Sequence, residues 1–131
     1  MSDEASKLVY GDGWEDTPAT CLGQLRNNSG QYITQASLDS ISCKVFDEKS
    51  DTPDTPVATP TVIVADCVFD TLQTGEMWTK DSVGYNFAHE VPGASFPLGD
   101  RSYRIEYVFT QTDTKTFARV FWHRVKSLRG S

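Results

Sequence analysis

The sequence lacks any apolar run long enough to cross a membrane, since a spanning helix needs about 20 mostly apolar residues in a row. Its first six residues, MSDEAS, lack the basic start and apolar centre of a secretory signal. Long runs of Ala, Leu, Glu and Lys, which favour helices, are also missing. We therefore expect no membrane partner, no signal peptide and a fold with little helix.

Histidine is scarce, and this limits the catalytic possibilities. A serine or cysteine nucleophile would need one of the two histidines together with an orienting acid. His89 precedes Glu90, but neighbouring residues of a strand face opposite sides of a sheet and cannot pair directly. His123 follows Trp122 in a basic segment. We expect no catalytic residues, no enzymatic activity and no cofactor.

The three cysteines are odd in number and too widely spaced for a zinc knuckle or a thioredoxin-type pair. Cys21, Cys43 and Cys67 each lie in a strand-like run. We expect them to be buried free thiols that behave as small apolar residues, as in a reducing compartment. One disulfide with one free thiol is the alternative.

A cluster of acidic residues lies between positions 47 and 54: Asp47, Glu48, Asp51 and Asp54. Such oxygen ligands suit calcium, but the segment lacks the glycine and the distal glutamate of an EF-hand loop, and proline interrupts it. We expect a solvated acidic loop and no metal site.

The net charge of -6 is unevenly distributed. Residues 1–70 hold 4 basic and 12 acidic side chains, giving -8, whereas residues 71–131 hold 8 and 6, giving +2. From position 119 onward four cations occur without any acid: Arg119, Arg124, Lys126 and Arg129. Four cations on an acidic chain make a weak footprint for nucleic acid, which we exclude as a partner. Either these cations are solvated or they dock on an acidic neighbour, such as the acidic start of another copy.

Alternating side chains predict β-strands. Between positions 102 and 109, large apolar residues recur at every second position: Tyr103, Ile105, Tyr107 and Phe109. Similar patterns predict strands at 19–26, 38–46, 61–64 with a continuation at 68–70, 85–91 and 116–125, and a short edge strand near Val57 and Ala58. About seven short strands separated by turns are best buried as two stacked sheets, as in an antiparallel sandwich.

We therefore predict an all-β, single-domain antiparallel β-sandwich. Residues 1–17, rich in Asp, Glu, Gly and Ser, are expected to form a flexible N-terminal arm. The sandwich is predicted over residues 18–126, and a basic C-terminal tail over residues 127–131. Trp78 is expected to be buried in the core.

The segment from Pro97 to Tyr107 resembles a corner of immunoglobulin-like domains, in which a tyrosine hydroxyl turns back to the main chain upstream. Tyr103 matches that structural position. The resemblance implies an Ig-like sandwich in which Ile105 replaces the second cysteine of the usual inter-sheet disulfide, and Cys43 falls roughly where strand B carries the first. That disulfide therefore cannot form.

In size, fold and build the chain also resembles small Ig-like phage structural proteins. This resemblance implies a non-enzymatic virion component, in the decoration of a head, a head–tail junction or a tail baseplate, assembled in the host cytoplasm. Its partners would be other virion proteins, or further copies in a homo-oligomer or lattice.

Candidate partner-binding residues lie towards the two ends of the chain: Tyr10, Trp14, Trp122, Arg124, Lys126 and Arg129. The segment 117–125 is apolar on both faces, so either a partner or the N-terminal arm should pack on its second face. The alternative is a module that binds carbohydrate or a host surface through Trp78, Tyr85 and the acidic loop at 47–54.

Overall fold

The computed structural model describes residues 7–8, 11–75, 78 and 83–128. Within them, one short helix, α1 (Val64–Cys67), and a 3-10 turn at Gly93–Ser95 accompany eight strands. The strands are β1 (Lys7–Leu8), β2 (Gly11–Trp14), β3 (Ala19–Gln24), β4 (Leu38–Asp47), β5 (Val68–Gln73), β6 (Tyr85–Val91), β7 (Arg101–Gln111) and β8 (Thr116–Lys126).

The strands form two four-stranded sheets, so the predicted all-β sandwich is confirmed. The first sheet has the order β1-β3-β6-β5 and the second the order β2-β8-β7-β4. Setting aside the short N-terminal strands, these orders are consistent with the two sheets of an immunoglobulin-like domain. The strand pairs are antiparallel apart from β2 and β8, which run parallel.

The two sheets are held together by the alternating residues that sequence analysis identified. Tyr103, Ile105, Tyr107 and Phe109 of β7 are all fully buried. From the first sheet, Phe87 of β6 meets this row edge to face, with its ring centroid 5.0 Å from that of Tyr107. A strand places alternate side chains on opposite faces, so one face of β7 fills the core and the other is left for solvent or a partner.

Tyr103 makes the hydrogen bonds that its corner position implies. Its hydroxyl donates to the carbonyl oxygen of Leu98 at 3.0 Å and accepts from the Leu98 amide at 3.1 Å. These two bonds satisfy both main-chain groups of Leu98 and fix the entry into β7.

The N-terminal region, predicted as an arm over residues 1–17, pairs with both sheets where the structure describes it. Residues 7–8 pair with β3, and residues 11–14 pair with residues 123–126 of β8. The described part of the arm therefore adds one strand to each sheet. Main-chain hydrogen bonds hold these residues in the sheets, and such bonds cannot be inferred from the polar composition of the segment.

Two further expectations were wrong in detail. The strand predicted at 61–64 is absent, because Val64 begins the helix α1, and β5 starts only at Val68. Cys43 does not lie across the sandwich from Ile105, because both belong to the second sheet, in β4 and β7.

All three cysteines are buried and free, as expected. The expected edge strand near Ala58 is a single bridge to Val45.

Candidate functional site

The outward surface of the second sheet brings most of the predicted partner-binding residues together. Even-numbered side chains of β8 point away from the core, and Trp14 of β2 lies beside Lys126 in register. Trp14 is 48% exposed, Trp122 40% and Val108 of β7 39%. We call this surface the outer face, and it comprises Trp14, Arg104, Val108, Trp122, Arg124 and Lys126.

Cations lie next to both tryptophans of the outer face. The guanidinium carbon of Arg104 is 5.7 Å from the ring centroid of Trp122, and the Lys126 ammonium is 5.7 Å from that of Trp14. Arg104 also forms an ion pair with Glu106 at 2.5 Å. Cation–π attraction in this distance range is worth about 0.5–1 kcal/mol at exposed sites, so it helps to orient both rings on the surface.

A pocket of about 450 Å³ opens at one end of the outer face. Its lining holds four cationic and two acidic side chains, together with Ser102 and Val125: Lys49, Arg101, Arg124, Lys126, Glu48 and Asp100. We call it the basic pocket.

Two of the four cations in the basic pocket are already engaged. Arg101 pairs with the buried carboxylate of Asp47 at 2.8 Å, and the Lys49 ammonium donates to the Asp100 carbonyl oxygen at 3.0 Å. The side chain of Arg124, in contrast, has no hydrogen bond or ion pair with any residue that the structure describes. Arg124 therefore has all its donors available for an anion.

A second pocket, of about 470 Å³, lies beneath the proline-containing loop. It has the opposite charge character, because Glu48, Asp54 and Glu106 outnumber Arg104 in its lining. Glu48 lines both pockets, so the surface changes sign over a short distance. A partner that fits this surface must carry charges of opposite sign at the matching positions, so electrostatic complementarity would select the partner.

A polar network that the sequence did not predict occupies the centre of the sandwich. His89 Nδ1 lies 2.7 Å from the Tyr107 hydroxyl oxygen, and His89 Nε2 lies 3.1 Å from the carbonyl oxygen of Thr61. The thiols of Cys21 and Cys43 lie close to the Tyr107 hydroxyl. The network joins the two sheets, since His89 and Cys21 belong to the first and Tyr107 and Cys43 to the second.

Burial fixes the protonation states within this network. It lowers the pKa of His89 and raises the pKa of both Cys21 and Cys43 to about 12. A neutral His89 that donates from Nε2 to Thr61 must accept at Nδ1, so the Tyr107 hydroxyl donates to it. Both ring nitrogens of His89 are satisfied in this arrangement, which is typical of a structural network.

The remaining candidates for catalysis and metal binding do not form an open site in the described part of the chain. His123 is buried, with its ring centroid 4.7 Å from that of Phe96. Within residues 7–8, 11–75, 78 and 83–128, no group of three or more His, Cys, Asp or Glu side chains is arranged to hold a metal ion.

The residues of the alternative binding hypothesis do not form an open surface either. Trp78 is only 6% exposed, as expected for a core residue, and its ring centroid lies 5.9 Å from that of Tyr85. In the acidic loop, Asp47 is buried and accepts hydrogen bonds from Arg101 and from the Lys49 amide. Only the remaining carboxylates of that loop face solvent.

Of the predicted partner-binding residues, four lie on the outer face, whereas Tyr10 and Arg129 fall outside the described residues. Sequence analysis missed Arg104 and Val108, which β7 places beside β8 through the pairs Arg104–Trp122 and Val108–Ala118. The alternation in β7 gave their orientation, but only the strand pairing reveals that they extend this surface.

Comparison with known protein families and with curated proteins found no match for this chain. None of the helices in the described part of the chain is long and apolar enough to cross a membrane. The class of protein is therefore defined by its fold alone: an all-β, two-sheet sandwich whose strand order is consistent with an immunoglobulin-like domain.

Proposed function

We propose that this protein is a non-enzymatic assembly subunit, of the kind found in phage-like virions, that docks on neighbouring subunits through its outer face. The observation that carries the proposal is the exposure of Trp14 and Trp122 beside cations on one sheet surface. Trp and Arg are enriched among the residues that dominate protein–protein binding energies, because they combine large contact area with directed polar contacts.

The basic pocket defines the chemistry of the partner. Arg124 can bind a carboxylate with two parallel hydrogen bonds, and Lys126 adds a second positive charge beside it. Trp14 next to Lys126 offers apolar area to a neighbouring side chain. The partner surface is therefore an acidic segment that carries an apolar group close to its carboxylates.

The placement of the imidazoles supports a non-enzymatic role. His89 is 6% exposed and His123 5% exposed, so neither presents its ring to a substrate in solution. Burial of Trp78 likewise favours assembly over carbohydrate binding, because a sugar-binding tryptophan must offer its ring face to the ligand.

The proposal is tested by native mass spectrometry of the purified chain, alone and mixed with the product of each neighbouring gene. We expect a stoichiometric complex with at least one of these products. Arg124→Glu should weaken that complex at least about tenfold, because the variant places a carboxylate where the partner presents its own. Trp14→Ser should also weaken it, through loss of apolar contact.

Matched controls separate the outer face from general effects of charge and hydrophobicity. Lys115→Glu makes the same charge change in the exposed turn between β7 and β8, and Ile63→Ser removes a side chain that is 54% exposed outside the outer face. Both controls should leave the complex intact. A complex that resists both outer-face variants would contradict the proposal, as would the absence of any complex.

A further inference from the structure

We propose that the basic pocket binds Asp3 and Glu4 of a second copy of this chain, so that copies assemble head to tail. This inference rests on the proposed assembly role and identifies one partner. Its first support is the uneven charge of the chain. Asp3 and Glu4 lie in residues 1–70, which carry a net charge of -8, and Arg124 and Lys126 lie in residues 71–131, which carry +2. In the described part of the chain, Arg124 has no polar side-chain partner.

The basic pocket and Lys7 lie at opposite ends of the sandwich. Lys7 pairs with Gln24, the last residue of β3. Trp14 lies beside Lys126 at the pocket and is followed by a turn that leads into Ala19, the first residue of β3. The pocket is therefore near the start of β3 and Lys7 is near its end. The five residue steps of β3 separate the two by about 17 Å.

The main chain between Lys7 and the acidic pair is shorter than the separation along β3. Glu4 precedes Lys7 by three residues and Asp3 by four, which limits their reach from Lys7 to about 11 and 14 Å at full extension. Both values fall short of the separation along β3. From Lys7 onward, β1 runs antiparallel to β3 and heads towards the pocket. A second copy can supply these two carboxylates without this limit on chain length.

The geometry gives the contact a direction. The proposed contact joins Asp3 and Glu4 of one copy to the basic pocket of the next, so the interface is heterologous and joins different surfaces of the two partners. Repetition of such a contact yields a ring if the rotation closes and a filament if it does not. Because the pocket is open to solvent, the contact should weaken as salt increases.

The test exchanges the charges of the two surfaces. Sedimentation velocity of the wild-type chain should show association that dissociates when sodium chloride is raised from 0.05 to 0.5 M, a range that shortens the Debye length from roughly 14 to 4 Å. Two variants, Asp3→Lys with Glu4→Lys and Arg124→Glu with Lys126→Glu, should each lose association at least about tenfold. An equimolar mixture of the two should regain it, because the reversed segment then fits the reversed pocket.

Two controls keep the test specific. Glu90→Lys reverses an exposed acid on β6, and Lys115→Glu reverses an exposed cation in the turn before β8. Neither should change the association. Circular dichroism establishes that each variant keeps the wild-type β spectrum. As a direct measurement, a peptide with the sequence MSDEAS should bind the chain lacking residues 1–6, and should not bind the same chain carrying Arg124→Glu and Lys126→Glu.

Three outcomes would overturn the inference: a wild-type chain that stays monomeric in low salt, charge-reversed chains that associate like the wild type, or a mixture that fails to recover. These outcomes leave the assembly role standing if a neighbouring gene product still binds the chain and Arg124→Glu still weakens that complex. If self-association responds as expected but no other product binds, the assembly is built from this chain alone.

Discussion

Replacing Tyr107 by Phe removes one oxygen atom from the centre of the sandwich and keeps the ring. The hydroxyl lies 2.7 Å from His89 Nδ1 and close to the thiols of Cys21 and Cys43. The Tyr107 ring, which packs against Phe87, stays in place. The substitution therefore isolates the energetic role of the buried network from that of the apolar core.

The expected cost follows from the group that loses its partner. His89 Nδ1 is left as a buried acceptor without a donor, a situation that costs about 1–3 kcal/mol. Thiols are weak donors and add little. We expect the free energy of unfolding to fall by about 2 kcal/mol, which for a domain of this size lowers the melting temperature by roughly 8 °C.

Urea unfolding at pH 7, followed by tryptophan fluorescence, measures this change. The midpoint should fall while the slope with urea stays constant, because the same surface is exposed on unfolding. Tyr32→Phe is the matched control. The Tyr32 hydroxyl bonds the Arg26 guanidinium at 2.8 Å, but the residue is 36% exposed, so its loss should cost less than about 0.5 kcal/mol. Equal midpoints for the two variants would refute the assignment of the network.

Three further predictions concern protonation and backbone strain. Because burial lowers the pKa of His89, the unfolded chain binds a proton more readily than the folded chain. The free energy of unfolding should therefore be unaffected by His89 above about pH 6.5 and should fall below that pH by at most about 1.4 kcal/mol per pH unit. His89→Gln should flatten this slope in urea titrations from pH 8 to 5. The pKa values of about 12 for Cys21 and Cys43 keep these thiols protonated, so Ellman's reagent at pH 8 should react only after urea is added, and rapid reaction of the native chain would contradict their burial. Gly84→Ala should cost about 1–3 kcal/mol by thermal melting, because φ is +111° and a methyl group would strike a main-chain carbonyl of β5; Gly30→Ala, at φ +83° in open space, should cost less.

The fold was largely predictable because each strand carries its own pattern. The alternation in β7 predicted which side chains face the core, and β6 was predicted with the bounds that the structure has, Tyr85–Val91. The corner tyrosine could be identified because its hydrogen bonds are local, to a residue five positions upstream. Local interactions leave local signals in sequence.

The outer face was predictable only in part. Its tryptophans and cations are conspicuous in the sequence, but Arg104 and Val108 look like ordinary solvent-facing residues of a strand. Only the pairing of β7 with β8 places Arg104 next to Trp122. The basic pocket was not predictable either, since it joins residues 48–49, 100–102 and 124–126.

The amino-acid sequence by itself determined the class of fold, because side-chain alternation within single strands dictates which face is buried. It also determined the charge asymmetry between the two halves of the chain. The tertiary structure alone decided that residues 7–8 and 11–14 join the two sheets, that a histidine, a tyrosine and two thiols meet at the centre, and that residues distant in sequence line a cationic pocket. These features depend on contacts between residues distant in the chain, and such contacts are set by strand order and register, which no local pattern specifies.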